Sequence, residues 1–151
     1  MIKKSSPQRQ HEFDVAYMKM ALAMSELSYA KRKKVGCVIV SSEDQVISQG
    51  FNGTPSGMAN CCEEVLPDGT LKTLPEVLHA EANSITKCAK YGSSTKGATV
   101  YVTLSPCIEC SKLIIQAEVE RVVYLEDYRD CSGLNLLRKC GINVEKLSGL
   151  I

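Results

Sequence analysis

The sequence predicts an α/β fold: one three-layer α-β-α domain built on a mixed five-strand sheet. Two observations predict it. The β-branched run VGCVIV (35–40) and residues 46–51 are separated only by a polar turn at 41–45, the pattern of an antiparallel hairpin. After that hairpin, strand-like and helix-like segments alternate, and alternation implies helical crossovers between parallel strands.

Each element has its own justification. Residues 1–10 are polar and read as a loose tail ahead of a single domain over 11–151. Over 11–31, Met18, Leu22, Ser25 and Tyr29 recur at helical spacing, with Ala21 and Met24 beside them. Residues 35–40 and 46–51 are the two hairpin strands. Residues 52–75 read as irregular, holding Gly53, Pro55, Gly57, Pro67 and Gly69, and so long a loop tends to be functional. A helix starts near His79 and runs to Tyr91, stopped by Gly92. Residues 98–104 form a strand. Ser105-Pro106 then reads as an N-cap followed by Pro at the first helical position, opening a helix to about Glu118. Residues 121–125 form a strand, 130–140 a helix closed by Gly141, and 142–147 a last strand. The predicted order is α-β-β-α-β-α-β-α-β.

The chain has 151 residues, one domain's worth, with 18 Lys and Arg against 17 Asp and Glu. That balance argues against a polymeric nucleic acid partner. No apolar run approaches a membrane span, and MIKKSSPQRQHEF lacks the apolar stretch of a secretory signal. The expectation is a soluble, cytoplasmic protein without a membrane partner. There are 8 cysteines. Disulfides are not expected in a reducing compartment. Cys37, Cys88, Cys131 and Cys140 read as small core residues.

Two motifs carry chemistry. His79-Ala80-Glu81 opens one predicted helix, and Pro106-Cys107-Ile108-Glu109-Cys110 opens the next. Cys107 and Cys110 share one helix face, in a first turn whose dipole favours thiolates. The other histidine, His11, lies at the edge of the expected tail, leaving His79 as the nitrogen ligand. Three ligands and a neighbouring carboxylate read as a catalytic zinc site, since a structural site normally has four. Zinc brings the pKa of a water near neutrality, and Glu81 is placed to shuttle its proton. A Cys-x-x-Cys alone also suits a redox pair, and a His-x-Glu alone carries no signal. Together, His-x-Glu and Pro-Cys-x-x-Cys form the pattern of the zinc deaminases that act on bases.

Beyond the tail, the chain resembles the deoxycytidylate deaminases of the cytidine deaminase superfamily. The resemblance rests on VGCVIV (35–40), GFNGTPSG (50–57) with Asn60-Cys61-Cys62, HAEANSI (79–85), GATVYVTLSPCIECSKLIIQAEVERVVY (97–124) and EDYRDCSGLNLLRKCGINVE (126–145). The zinc motifs point to the superfamily and the GFNGTPSG loop to the dCMP branch. The resemblance implies a cytidine deaminase-like fold and hydrolysis of dCMP to dUMP and ammonia. It implies zinc on His79, Cys107 and Cys110, with Glu81 carrying protons to N3 and to the leaving amine. The backbone at Ala80 and Ser105 would hold the base edge, and Asn52 the sugar.

The substrate's phosphate needs donors. Lys31-Arg32-Lys33-Lys34 is one candidate group, represented by Arg32, and its other reading is a solvated basic turn. Tyr128 and Arg129 are a second candidate pair, otherwise an ordinary surface loop. The resemblance further implies a homo-oligomer, often a hexamer, activated by dCTP with Mg2+ and inhibited by dTTP. Gly53, Thr54, Pro55, Ser56 and Gly57 match the loop that holds effector phosphates. Lys87 and Lys90 stand where some regulated members carry an aromatic residue and an arginine. Some relatives bind a second zinc before the His-x-Glu motif. Here Cys61 and Cys62 are present, with Cys37 as a possible third donor, but that loop has no histidine.

Two rivals stand beside this reading. A tRNA adenosine or other cytosine or nucleoside deaminase would share the zinc motif, but a tRNA editor should be basic and rich in stacking aromatics. This chain has no Trp and 2 Phe. A binding-only zinc protein is argued against by the intact Glu81. The short, Lys-rich chain suits a virus-encoded nucleotide-pool enzyme.

Overall fold

The computed structural model describes residues 6–148. The first helix, α1, spans Pro7–Ser25, earlier at both ends than its periodicity predicts. Ser6 is the N-cap, its hydroxyl accepting from the Arg9 amide at 3.1 Å. Pro7 fits the first turn, where its missing N–H costs no hydrogen bond. The segment read as a loose tail is thus helical from Pro7, and residues 1–5 lie outside the described residues. Past Ser25 a last backbone turn, with the Leu27 and Ser28 amides donating to the Met24 and Ser25 carbonyls at 3.1 Å each, ends the helix, and the Ser28 side chain then ties the chain to Asn52. The Ser28 hydroxyl accepts from the Ala30 amide at 3.1 Å and donates to the Asn52 carbonyl at 2.7 Å.

The strands β1 (Gly36–Val40) and β2 (Val46–Phe51) form the expected antiparallel hairpin. The region read as irregular contains a ribbon of two short strands, β3 (Glu63–Val65) and β4 (Leu71–Thr73). Its turn holds Pro67-Asp68-Gly69, and Gly69 has a φ of 85°, a conformation that glycine adopts without strain. Then follow α2 (Ala80–Tyr91), β5 (Thr99–Leu104), α3 (Ile108–Gln116), β6 (Arg121–Glu126), α4 (Ser132–Lys139) and β7 (Asn143–Lys146).

The main sheet runs in the order β2-β1-β5-β6-β7. β5 is antiparallel to β1 and parallel to β6, and β7 is parallel to β6. It is the mixed five-strand sheet that the alternation predicts. Side chains alternate across it as strand geometry requires. Cys37, Ile39, Val100, Val102, Val122 and Tyr124 pack with Ala80 and Cys88 of α2, Ile114 of α3, and Leu134 and Leu137 of α4. On the opposite face, Val38, Val40, Tyr101 and Val123 pack under Met18 and Ala21 of α1. The three layers are therefore one helix, the sheet, and three helices.

Burial accounts for Cys37 and Cys88, both core residues as expected, but not for Cys131 and Cys140. Those two are exposed because they cap the two ends of α4, beyond the buried turn that holds Leu134 and Leu137. Under α1 lies one buried ion pair. The Arg121 guanidinium donates to both oxygens of Asp14, at 2.8 and 2.7 Å, and the Tyr101 hydroxyl donates to Asp14 at 2.7 Å. Arg121 also pairs with Glu145. Burial alone would raise the Asp14 pKa, but the bonds from Arg121 and Tyr101 outweigh it and hold the carboxyl below its ordinary value. No helix among the described residues is long and apolar enough to cross a membrane.

Candidate active site

Two helix N-termini meet on the three-helix side of the sheet. His79 is the N-cap of α2, and Cys107 is the N-cap of α3. The Cys107 thiol accepts from the Cys110 amide at 3.4 Å and so occupies the capping position. Ser105 is therefore not the cap that the Ser-Pro pair suggests. Its amide donates to the Glu126 carbonyl at 2.8 Å and its hydroxyl accepts from the Tyr128 amide at 2.7 Å. Ser105 thereby ties the end of β5 to the loop after β6.

His79 Nδ1 lies 3.4 Å from the Sγ of Cys107 and 3.4 Å from that of Cys110. Tetrahedral zinc with ordinary Zn–N and Zn–S bonds sets its nitrogen and sulfur ligands about 3.5 Å apart. The triad therefore fits zinc in both spacing and donor chemistry, one imidazole and two thiols. It is the only cluster of metal-binding side chains found among the described residues. Cys61 is exposed, with its thiol on the Glu63 carbonyl at 3.2 Å, while Cys37 is sealed in the core. The second metal considered for Cys61 and Cys62 has no cluster to hold it.

The electrostatics suit a cation. The bond from Cys110 and the proximity of His79 hold the Cys107 thiol well below its usual pKa. The same bond and burial push Cys110 up. The hydrogen bond with Cys107 raises the His79 pKa. Glu81, in the first turn of α2, is 4% exposed. Burial pushes its carboxyl up to about 7, against the pull of its own backbone amide and of His79.

A cleft of about 410 Å³ opens over the triad. It is lined by every residue expected to meet the substrate: Arg32, Asn52, Ala80, Ser105, Tyr128 and Arg129. The Asn52 side chain is partly committed. Its amide donates to the Lys33 carbonyl at 2.8 Å and its oxygen accepts from the Val35 amide at 2.8 Å, leaving one N–H for a ligand. The Arg129 guanidinium lies over the Tyr128 ring, 5.7 Å from its centre. Glu63, Thr73, Glu126 and Asp127 also line the cleft, and sequence reasoning missed all four. The Pro-Asp-Gly turn was the signal for the ribbon that carries Glu63 and Thr73.

A second cleft of about 460 Å³ shares Cys62 with the first. Gly53, Thr54, Ser56, Gly57, Lys87 and Lys90, the residues assigned to an effector, all line it. The Lys87 ammonium donates to the Gln49 carbonyl at 2.8 Å and side chain at 3.0 Å. Lys90 stands over the Tyr91 ring, 5.2 Å from its centre. Cys62, buried, belongs to the walls of both clefts.

Comparison with known proteins adds to this geometry. Residues 11–126 match the family described as "Cytidine and deoxycytidylate deaminase zinc-binding region". The chain is 34% identical over 152 residues to the deoxycytidylate deaminase of Saccharomyces cerevisiae, covering 97% of this chain and 48% of that one. It is 32% identical over 166 residues to that of Enterobacteria phage T4, covering 84% of this chain and 86% of that one. It thus spans about half the length of the yeast relative. Among solved structures, the dCMP deaminase of cyanophage S-TIM5, in complex with dCMP and dUMP, matches with a TM-score of 0.82 and 43% identity. That match covers 95% of this chain and 99% of the cyanophage chain. The family match takes in both ligand motifs, which the fold brings together at two neighbouring helix starts, so the chain belongs to the cytidine and deoxycytidylate deaminase zinc-binding family.

Proposed function

We propose that this protein hydrolyses dCMP to dUMP and ammonia. The observation that carries the reading is the composition of the first cleft. Donors suited to a base edge, a sugar and a phosphate line one cavity that opens over a zinc-competent triad. A cyanophage relative solved with dCMP and dUMP supports the substrate.

In this reading His79, Cys107 and Cys110 hold the zinc. Zinc supplies Lewis acidity that brings the pKa of a water near neutrality. Glu81 would take a proton from the attacking water and deliver it to N3 of the cytosine, then take the second proton from the new C4 hydroxyl and pass it to the amine, which leaves as ammonia as the C4–N bond breaks and the C4 carbonyl forms. Burial keeps this carboxyl from being levelled by solvent. The Ala80 and Ser105 backbone orients the base, and the remaining Asn52 N–H meets the sugar. Arg32, Tyr128 and Arg129 receive the phosphate.

The second cleft supports control by nucleotides, with dCTP and Mg2+ activating and dTTP inhibiting. Backbone amides of the Gly53–Gly57 stretch would approach the phosphates, and Lys87 and Lys90 would supply charge. Tyr29, Met58 and Tyr91 at its rim are exposed, which supports burial against other copies in a homo-oligomer, a hexamer in this reading. Relatives from phage T4 and a cyanophage support a virus-encoded enzyme working in the host cytoplasm.

The test is the loss of cytosine absorbance when pure protein meets dCMP or deoxycytidine, with and without dCTP and Mg2+. Turnover of dCMP alone supports the substrate, and stimulation by dCTP supports the effector site. A zinc-loaded protein inert toward dCMP under every condition refutes the reading.

A further inference from the structure

The ribbon β3–β4 grips a single residue of the active-site rim from both of its strands. On β3, one carboxylate oxygen of Glu63 accepts the backbone amides of Lys31 and Arg32, at 2.8 and 3.0 Å. On β4, Thr73 Oγ1 accepts from the Arg32 guanidinium at 3.0 Å. Glu63 and Thr73 are direct partners in the ribbon's register. Both line the cleft over the triad, as does Arg32. One facing pair of residues therefore fixes both the backbone and the side chain of Arg32.

Charge makes the arrangement selective. Lys33, the neighbouring cation in the cleft wall, is paired with Glu126 at 2.5 Å. Among the described residues, Arg32 meets no carboxylate within ion-pair distance. Glu63 takes backbone amides and leaves the guanidinium alone, while Thr73 is a neutral acceptor. The guanidinium is thus oriented without being neutralised, and its remaining N–H groups are free to bind a dianion.

We propose that Thr73 and Glu63 are positioning residues for the substrate's phosphate, and that they act through Arg32. The proposal rests on dCMP being the substrate. Thr73 aims the guanidinium and Glu63 holds the strand end that carries it. Neither touches the reacting base, so both govern capture of the substrate rather than the chemical step.

Steady-state kinetics with dCMP on the zinc-loaded protein test it. Thr73→Val should raise KM about tenfold at constant kcat, and should weaken inhibition by inorganic phosphate to the same extent. Thr73→Ser keeps the hydroxyl and should restore wild-type KM. In an Arg32→Met background, Thr73→Val should add nothing, because its effect passes through the guanidinium. Glu63→Ala should likewise raise KM at constant kcat. An equal rise in KM with and without Arg32, or a Thr73→Val KM within twofold of wild type, overturns the proposal. A fall in kcat with KM constant also overturns it. Wild-type protein that turns over no dCMP brings down the substrate reading first, and the proposal with it.

Discussion

Gly133 lies so close to the backbone of Cys107 that a methyl on its α-carbon would stand 2.8 Å from the Cys107 carbonyl oxygen. The same methyl would come within 2.2 Å of the Pro106 carbonyl oxygen. The start of α4 is thereby pressed onto the turn that presents a metal ligand. Gly133→Ala should lower stability by about 1–3 kcal/mol through overpacking. It should also lower the zinc bound per chain, since the turn must move to admit the methyl. Thermal melting and metal analysis check both, and a variant with full zinc and an unchanged melting midpoint would refute the contact.

Glu81 is buried and next to the triad, so its neutral isostere separates chemistry from assembly. Glu81→Gln should retain zinc and bind dUMP, while kcat for dCMP falls by about 10²–10⁴, the usual span for losing a general acid–base. Its melting midpoint should not fall, because an amide is cheaper to bury than a carboxylate. Activity within tenfold of wild type would assign proton transfer to another group.

Removing zinc should loosen the site from both sides at once. The triad joins the starts of α2 and α3 through two thiols and one imidazole. A chelator should lower the melting midpoint and abolish turnover, and added zinc should restore both. Above its dissociation constant, each tenfold rise in free zinc should add about 1.4 kcal/mol. A melting midpoint indifferent to zinc would mean that the triad does not hold the ion in the folded state.

The Asp14–Arg121 pair should appear as acid sensitivity. The Asp14 carboxyl titrates below its ordinary value of 3.8 in the folded protein, so the unfolded chain binds that proton more readily. The pair's contribution is complete above that value and is lost as pH falls through the folded pKa. At neutral pH, Asp14→Asn should cost about 3–5 kcal/mol, the loss expected when a buried pair is broken. The gap between variant and wild type should narrow in acid. Denaturant unfolding at a series of pH values measures it, and a gap that stays constant down to pH 2 would contradict the assignment.

Much of the site was legible because its signals are local. His79 and Glu81 share one helix start and Cys107 and Cys110 another, so two short motifs sufficed to find the triad. Dipeptide signals were less dependable. Ser6-Pro7 and Ser105-Pro106 are the same pair, yet only the first starts a helix. At 105 the serine is claimed by β6 and the Tyr128 loop, and a thiol takes the cap instead. That competition is tertiary and leaves no trace in the dipeptide. The β3–β4 ribbon was missed because its strands are three residues each, too short to show a period. Cys131 and Cys140 were misplaced because composition favours burial of cysteine, whereas their exposure follows from where a short helix happens to end.

The wide sequence separation of the metal ligands has a consequence for biosynthesis. His79 and Cys110 are 31 positions apart, and β5, which lies between them in the chain, must settle between β1 and β6. A ribosome releases β1 well before β5, and Cys37 cannot pair with Val102 until the later strand has emerged. On a nascent chain the triad therefore stays open until the central strand closes the sheet. Zinc would then be loaded late, and a chain finished without it would leave both thiols of the triad without their shared ion.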